Sequence, residues 1–303
     1  MNVHRQSWYS WTAALLAPFV ICGLAGIPPR PAYAQALVPE ERPVRVAPGK
    51  VVFSISPTGA FRFGVSGEAS LVGRGGLIVY TTGEDDARVE FLNTLTGSAR
   101  SLLPGGGIAV VQEGAPSGSR YPSSRADDDN DGRIDEDPLD RIDNDGDGKV
   151  DEDFAAVGDA MAVVKYGPAS VAALSVRQEI YGWSLVHIDR MVASTLTLRN
   201  TGKEKLTGLR VAVKIEPGEA IADNRLLARS TSRNNGDLVT ANVMIRGRDD
   251  AFALLAFAPR TRGGGEWTVE DDGRDVFVVS PSLGDLGPGE ECVIHLALLA
   301  LPA

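Results

Sequence analysis

The side chains best suited to chemistry gather between Asp127 and Asp153, where DDDNDGRIDED is followed by DNDGDGKVDED, with Asp127 and Asp143 sixteen residues apart. Each copy sets acidic residues at its positions 1, 3 and 5, glycine at 6, an aliphatic residue at 8 and aspartate at 9. Alternate carboxylates on a tightly turning loop converge on one point, and glycine permits the turn, so the spacing suits a hard cation. The first loop offers Asp127, Asp129, Asp131, the Arg133 carbonyl and Asp135, with Asp137 or Asp140 to close it. The second offers Asp143, Asp145, Asp147, the Lys149 carbonyl and Asp151, with Asp153 or Glu152 to close it. Two or more calcium ions are the expected ligand. Ile134 and Val150 would turn inward and pack the loops on one another.

This pattern resembles the calcium loops of EF-hands, of dockerins and especially of thrombospondin type 3 repeats. It departs from the EF-hand at position 12, where Pro138 and Phe154 replace a bidentate glutamate. Only PLDRI separates the loops, leaving no room for the flanking helices of a sensor that opens a groove. The resemblance implies a tandem structural site in which metal orders a segment that has no core of its own. That segment holds 14 acidic and 3 basic residues, while the whole chain has a net charge of −10. The acidity is therefore local, and the carboxylates repel one another unless cations neutralise them.

Signals for catalysis are sparse. Past the leader described below, the histidines are His187 and His295, the latter inside an apolar strand and expected to be packed in the core. Nothing has zinc-ligand spacing, Gly64-Val65-Ser66-Gly67 falls short of a nucleophile elbow, and Gly202-Lys203-Glu204 is not a phosphate loop. Paired carboxylates for glycoside chemistry come from distant parts of a chain, and Glu113, Glu179 and Asp189 are candidates. Tyr181, Trp183 and Trp267 have the side chains to stack on a sugar ring or to pack a core. The expectation is a non-catalytic calcium-binding module for extracellular binding or surface architecture. A carbohydrate-active enzyme or carbohydrate-binding protein on a large β-sandwich is the alternative, and a glycan or a surface protein the expected partner.

Residues 1–34 read as a secretory signal: His4 and Arg5, an apolar run from Thr12 to Ala25, then Ala32-Tyr33-Ala34 ahead of Gln35. The run is too short, and too interrupted by Pro18 and Gly23, for a good membrane span. The expected location is secreted, periplasmic or cell-surface, with no membrane insertion after cleavage. Cys22 would leave with the signal, so Cys292 has no disulfide partner and is expected as a small apolar residue. No basic stripe for nucleic acid is present.

The elements that must position these groups are strands. Residues 35–50 read as an extended lead-in, 51–113 as a first β region, 114–126 as a linker, 127–154 as the loops and 155–303 as a second β region. Expected strands in the first are VVFSIS, FRFGV, GLIVYTT, ARVEFL and IAVVQ, broken by glycine-rich turns. In the second, VASTLTLRN is expected to form a hairpin through Thr201-Gly202-Lys203 with the alternating strand Leu209–Glu216. Asn235-Gly236 marks another hairpin into DLVTANVMIR, followed by AFALLAFA, EWTVE, DVFVVS and a central ECVIHLALLAL. The segments LRNTGKEKLTGLRVAVKIE and LGDLGPGEECVIHLALLA resemble bacterial immunoglobulin-like modules over roughly residues 190–303. The expected fold is all-β: immunoglobulin-like, or a larger two-sheet sandwich of both β regions with the acidic calcium-binding loops inserted.

Overall fold

Alternating apolar and polar residues become strands here because only a two-layer arrangement buries one face of each. The computed structural model describes residues 42–82, 88–111, 139–143, 158–169, 173–222, 227–235, 238–246, 251–259 and 265–301. Before the acidic repeat come β1 (Val44–Val46), β2 (Val51–Ile55), β3 (Phe61–Val65), β4 (Ser70–Thr82), β5 (Arg88–Asn93), β6 (Ala99–Ser101) and β7 (Ala109–Val111). After it come β8 (Ala160–Pro168), β9 (Leu174–Gly182), β10 (Met191–Asn200) and β11 (Arg210–Pro217). A short helix, α1 (Glu219–Ala222), precedes β12 (Leu227–Asn235), β13 (Leu238–Arg246) and β14 (Ala251–Pro259). The last strands are β15 (Thr268–Asp271), β16 (Val276–Val279) and β17 (Glu291–Leu301).

These strands form two sheets, and the chain is a large all-β two-sheet sandwich. One sheet of eight strands runs β1-β2-β3-β4-β11-β16-β15, with β5 also on β4. The other, of nine, runs β12-β13-β14-β17-β10-β9-β8-β6, with β7 also on β8. Each sheet takes strands from both sides of the acidic repeat. A single buried cluster joins them: Phe53, Phe63, Val79, Val211 and Ile215 from the first meet Tyr166, Ile180, Leu196, Phe252 and Ile294 from the second. Tyr166, fully buried, donates to the Gln178 Oε1 at 2.9 Å, which satisfies both polar groups inside the core. Gly59 (φ 89°) lies over the same ring, and a Cβ there would fall 2.5 Å from Tyr166 Cζ.

Several strands fall where the pattern places them: β3 coincides with FRFGV, and β17 is central, between β14 and β10. The hairpin of β12 with β13 forms, Asn235 opposite Leu238. The hairpin through Thr201-Gly202-Lys203 does not. β10 pairs with β9 and β17, whereas β11 pairs with β4 and β16 in the other sheet. The chain changes layer here because fully buried Asn200 holds the turn. Its Nδ2 donates to the carbonyls of Glu204 (2.7 Å) and Leu286 (2.8 Å), and its Oδ1 accepts from the Gly202 amide at 2.9 Å. The Asn-Thr-Gly and Leu-Gly-Pro-Gly-Glu turns thus bind each other, with Leu206 bridged to Leu286.

Cys292 is half-buried against the core, and desolvation pushes its thiol up to about 11. Residues 1–41, Glu113, and Asp127, Asp129, Asp131, Arg133, Asp135, Asp137, Asp145, Asp147, Lys149, Asp151 and Asp153 lie outside the described residues.

Asn200→Ala would strand two carbonyls and an amide in the core, and a loss of about 3 kcal/mol is expected. Urea unfolding measures it. A loss no larger than that of an exposed-site control would show that the layer change does not depend on this side chain.

Candidate functional site

The outer face of the nine-stranded sheet carries a row of polar residues that the register assembles from β9, β10 and β17, with β8 and β14 on either side. Val163 on β8 faces Glu179 on β9, Glu179 faces Thr195 on β10, Thr195 faces His295 on β17, and His295 faces Phe257 on β14. Side chains alternate along each strand, so Arg177 and Tyr181 flank Glu179 on this face while Gln178 and Ile180 point into the core. The core-facing residues are buried, whereas the Arg177 and Glu179 side chains keep 28% and 23% exposure, enough to meet a ligand.

Two hydrogen-bonded groups make up the row. Arg177 donates to Glu179 Oε1 from Nε at 3.0 Å and from its guanidinium end at 2.9 Å. Tyr181 donates its phenol proton to Glu179 Oε2 at 2.7 Å. His295 Nδ1 lies 3.1 Å from Thr195 Oγ1. Tyr181 spends its one proton on Glu179, whereas the Thr195–His295 bond is donated from one side or the other according to the imidazole tautomer. The His295 ring is exposed on this face. Burial, with the adjacent Glu179 carboxylate, raises Tyr181 well above the usual phenol range and keeps it a donor. Glu179 and His295 stand two strands apart, roughly 10 Å. A ligand lying over Thr195 would touch both.

At one end of this face sits an aromatic pair, Tyr181 and Trp183, with ring centroids 6.5 Å apart. Beside it Leu139, 2% exposed, packs on Ala109, Met161 and Val163. Leu139 belongs to the five-residue spacer between the acidic loops. Asp140 Oδ1 accepts the Ile142 amide there at 3.0 Å, and Arg141 adopts φ 65° against Gly107. At the other end opens a groove of about 750 Å³, lined by Lys165, Ser175, Arg177, Thr197, Arg199 and Glu291 among others.

The sequence candidates separate accordingly. Glu179, Tyr181 and Trp183 belong to this face. Asp189 is buried and bonded to Lys50 at 2.9 Å, a structural ion pair. Trp267 is a core residue whose Nε1 donates to the Val239 carbonyl at 3.0 Å. His187 is on an exposed turn. His295, expected in the core, is exposed instead, because β17 turns it to the uncovered face while Ile294 and Leu296 turn inward. Among the described residues the hydrogen-bond and ion-pair partners of Glu179 are Arg177 and Tyr181, neither of them an acid. Of the candidate calcium-loop ligands, Asp140 in the spacer and Asp143 just after it fall within the described residues, both half-exposed.

No family model matches the chain. No curated protein matches it either. Among solved structures it is similar to a putative aldose 1-epimerase from Escherichia coli, at 11% identity and TM-score 0.37 over 86% of this chain and 99% of the other. It is similar to a polysaccharide lyase, at 10% identity and TM-score 0.37, the match covering 86% of this chain and 33% of the lyase. A GH36 alpha-galactosidase from Geobacillus stearothermophilus, in complex with stachyose, matches at 9% identity and TM-score 0.41 over 86% of this chain and 40% of the enzyme. Scores this low mark a loose likeness, and no function follows from them.

Above about pH 10, the ordinary tyrosine value, the unfolded chain loses phenol protons that native Tyr181 still holds, so stability falls as pH rises through that window. Tyr181→Phe is expected to flatten part of that fall, the remainder belonging to Tyr166 and Tyr80, which burial also raises. Urea unfolding at a series of alkaline pH values checks this. Equal slopes in the two proteins would mean that Tyr181 is not held as a donor to Glu179.

Proposed function

We propose that this chain binds a saccharide on the outer face of its nine-stranded sheet. The observation that carries the reading is the polar row of Arg177, Glu179, Tyr181, Thr195 and His295, two hydrogen-bonded groups side by side on an exposed sheet face. Sugar recognition needs acceptors and donors in a fixed array for hydroxyls, and an aromatic surface for the apolar ring face. Glu179, Thr195 and His295 supply the first, and the half-buried pair Tyr181 and Trp183 supplies the second. The partners of Glu179 are a cation and a phenol, so the site favours binding over two-carboxylate hydrolysis.

A glycan array on the full chain should return saccharide ligands, followed by calorimetric titration. Glu179→Gln and His295→Ala are each expected to weaken binding about tenfold, one hydrogen bond to a charged or polar group each. An array without a saccharide ligand would end this reading. So would a ligand whose affinity both substitutions leave unchanged.

A second reading concerns the acidic repeat, and it is favoured by the seating of Leu139 between the two loops. In it, calcium held by Asp127, Asp129, Asp131, Asp135 and by Asp143, Asp145, Asp147, Asp151 orders the segment beside the saccharide site. The donor set is all oxygen and mostly carboxylate, which fits calcium and not a softer metal. The leader at residues 1–34 would take the protein to calcium-rich surroundings outside the cell. Melting with millimolar calcium should exceed melting with chelator, and Asp129→Ala with Asp145→Ala should remove the difference. Coincident curves for the unmodified chain would count against structural metal.

A further inference from the structure

The groove beside Glu179 is lined by three cations, of which the hydroxyl-binding row uses Arg177 and leaves Lys165 and Arg199. Lys165 on β8 stands directly opposite Arg177 on β9, and Arg177 opposite Thr197 on β10. One step along the same face, Ser175 stands opposite Arg199, and Arg199 opposite Glu291 on β17. Lys165, Arg177 and Arg199 all border the groove, together with one acid, Glu291. Like charges directly across two strands destabilise a sheet, so the Lys165–Arg177 pair needs an offsetting negative group. Glu179 takes Arg177. Glu291 reaches Arg199 only at 3.7 Å with both side chains about half exposed, a weak pair. Lys165 makes no ion pair among the described residues. Outside Asp127–Asp153 the charges nearly cancel, so three cations beside one acid in a single groove are a local excess.

From this we infer that the groove is an anionic subsite and that the saccharide is acidic, carrying a carboxylate or a sulfate ester. The inference rests on the saccharide reading above and names the class of sugar. Arg177 and Arg199 offer planar donor pairs matched to two-oxygen anions, while Lys165 adds a point charge from the neighbouring strand. Ser175 and Thr197 place hydroxyls between them. The Leu102 side chain, 37% exposed, forms an apolar wall at the same groove. One sugar unit would put its anion over Lys165 and Arg199 while the next lies along Glu179 and Thr195. A polymer with regularly spaced acidic groups fits this division better than a free monosaccharide, because both ends of the face are then occupied at once.

The test uses the full chain and paired probes: an oligogalacturonate against the same oligomer with its carboxyl groups reduced to alcohols, and dextran sulfate against dextran. Calorimetric titration of each pair should show the charged member binding at least about tenfold more tightly, the advantage shrinking as salt rises. The uronate and sulfate arms identify which anion the groove prefers. Lys165→Ala and Arg199→Ala, both outside the Glu179 network, are expected to erase that advantage while leaving affinity for the neutral member and the melting temperature unchanged. Equal binding of charged and neutral members overturns the anionic subsite and leaves the saccharide reading intact. Absence of binding to all four probes and to the glycan array defeats both. An advantage that survives both substitutions also overturns the assignment, since the charge would then be read elsewhere on the protein.

Discussion

Burial of one face of the nine-stranded sheet is the constraint from which the rest follows. Strand side chains alternate with a period of two, so committing Ile180, Leu196 and Ile294 to the core commits Glu179, Thr195 and His295 to the opposite side. A slip of one residue in β9 alone would drive Arg177, Glu179 and Tyr181 into the interior, where two charges would lose their water. The register that makes the core is therefore also the register that makes the site. No separate device is needed to assemble the polar row, and none of its members lies on a loop.

The layer change after β10 protects that arrangement. If Asn200 led into a simple hairpin, β11 would pair beside β10 and displace β17, taking His295 out of line with Thr195. Instead Asn200 ties its own turn to the Leu286–Glu290 turn, through Leu286 and through its amide on the Glu290 carbonyl at 3.0 Å. β17 then enters the sheet at β10 with Arg199 opposite Glu291, and the count of residues from that pair to Thr195–His295 is fixed. A buried polar side chain, fully satisfied, specifies strand order here as well as contributing stability. The cost of an imperfect version is large, because each of its bonds ends on backbone that has no water to turn to.

Much of this was legible in the chain, and the failures have local causes. The alternation in Leu196–Asn200 and Leu209–Glu216 reveals strands correctly, because one face of each is apolar and the other polar. It cannot reveal the sheet to which each belongs, since Thr201-Gly202-Lys203 has ordinary hairpin chemistry and the overriding contact lies 86 residues away at Leu286. β8 and β9 are harder to see: the first is apolar on both faces, and the second has Gln178 on its buried side, satisfied by Tyr166. His295 misleads because its outward neighbours Val293, Ala297 and Leu299 are apolar, so the sequence offers no contrast between faces. Glu179, Tyr181 and Trp183 are identifiable as sugar-type residues. Arg177, Thr195, Lys165 and Arg199 gain meaning only from cross-strand register, which no short window contains.

The two ends of the outer face are opposite in character, and the separation has an electrostatic logic. The spacer carrying Leu139 is seated at Met161 and Val163, while Lys165 and Arg177 lie two to four residues further along the same strands, roughly 7–13 Å away. Fourteen acids belong to the segment that Leu139 anchors. On the calcium reading proposed above, loops left without metal would repel an anionic ligand and compete for the cations of the groove. Each calcium ion bound by the repeat would offset two of those charges. On the proposed readings the metal and the acidic saccharide are therefore not independent: each cation taken up by the loops lowers the repulsion felt at Lys165 and Arg199. Coupling of this kind needs no movement of the sheet, only a change in the potential across a rigid face, and it runs equally in both directions.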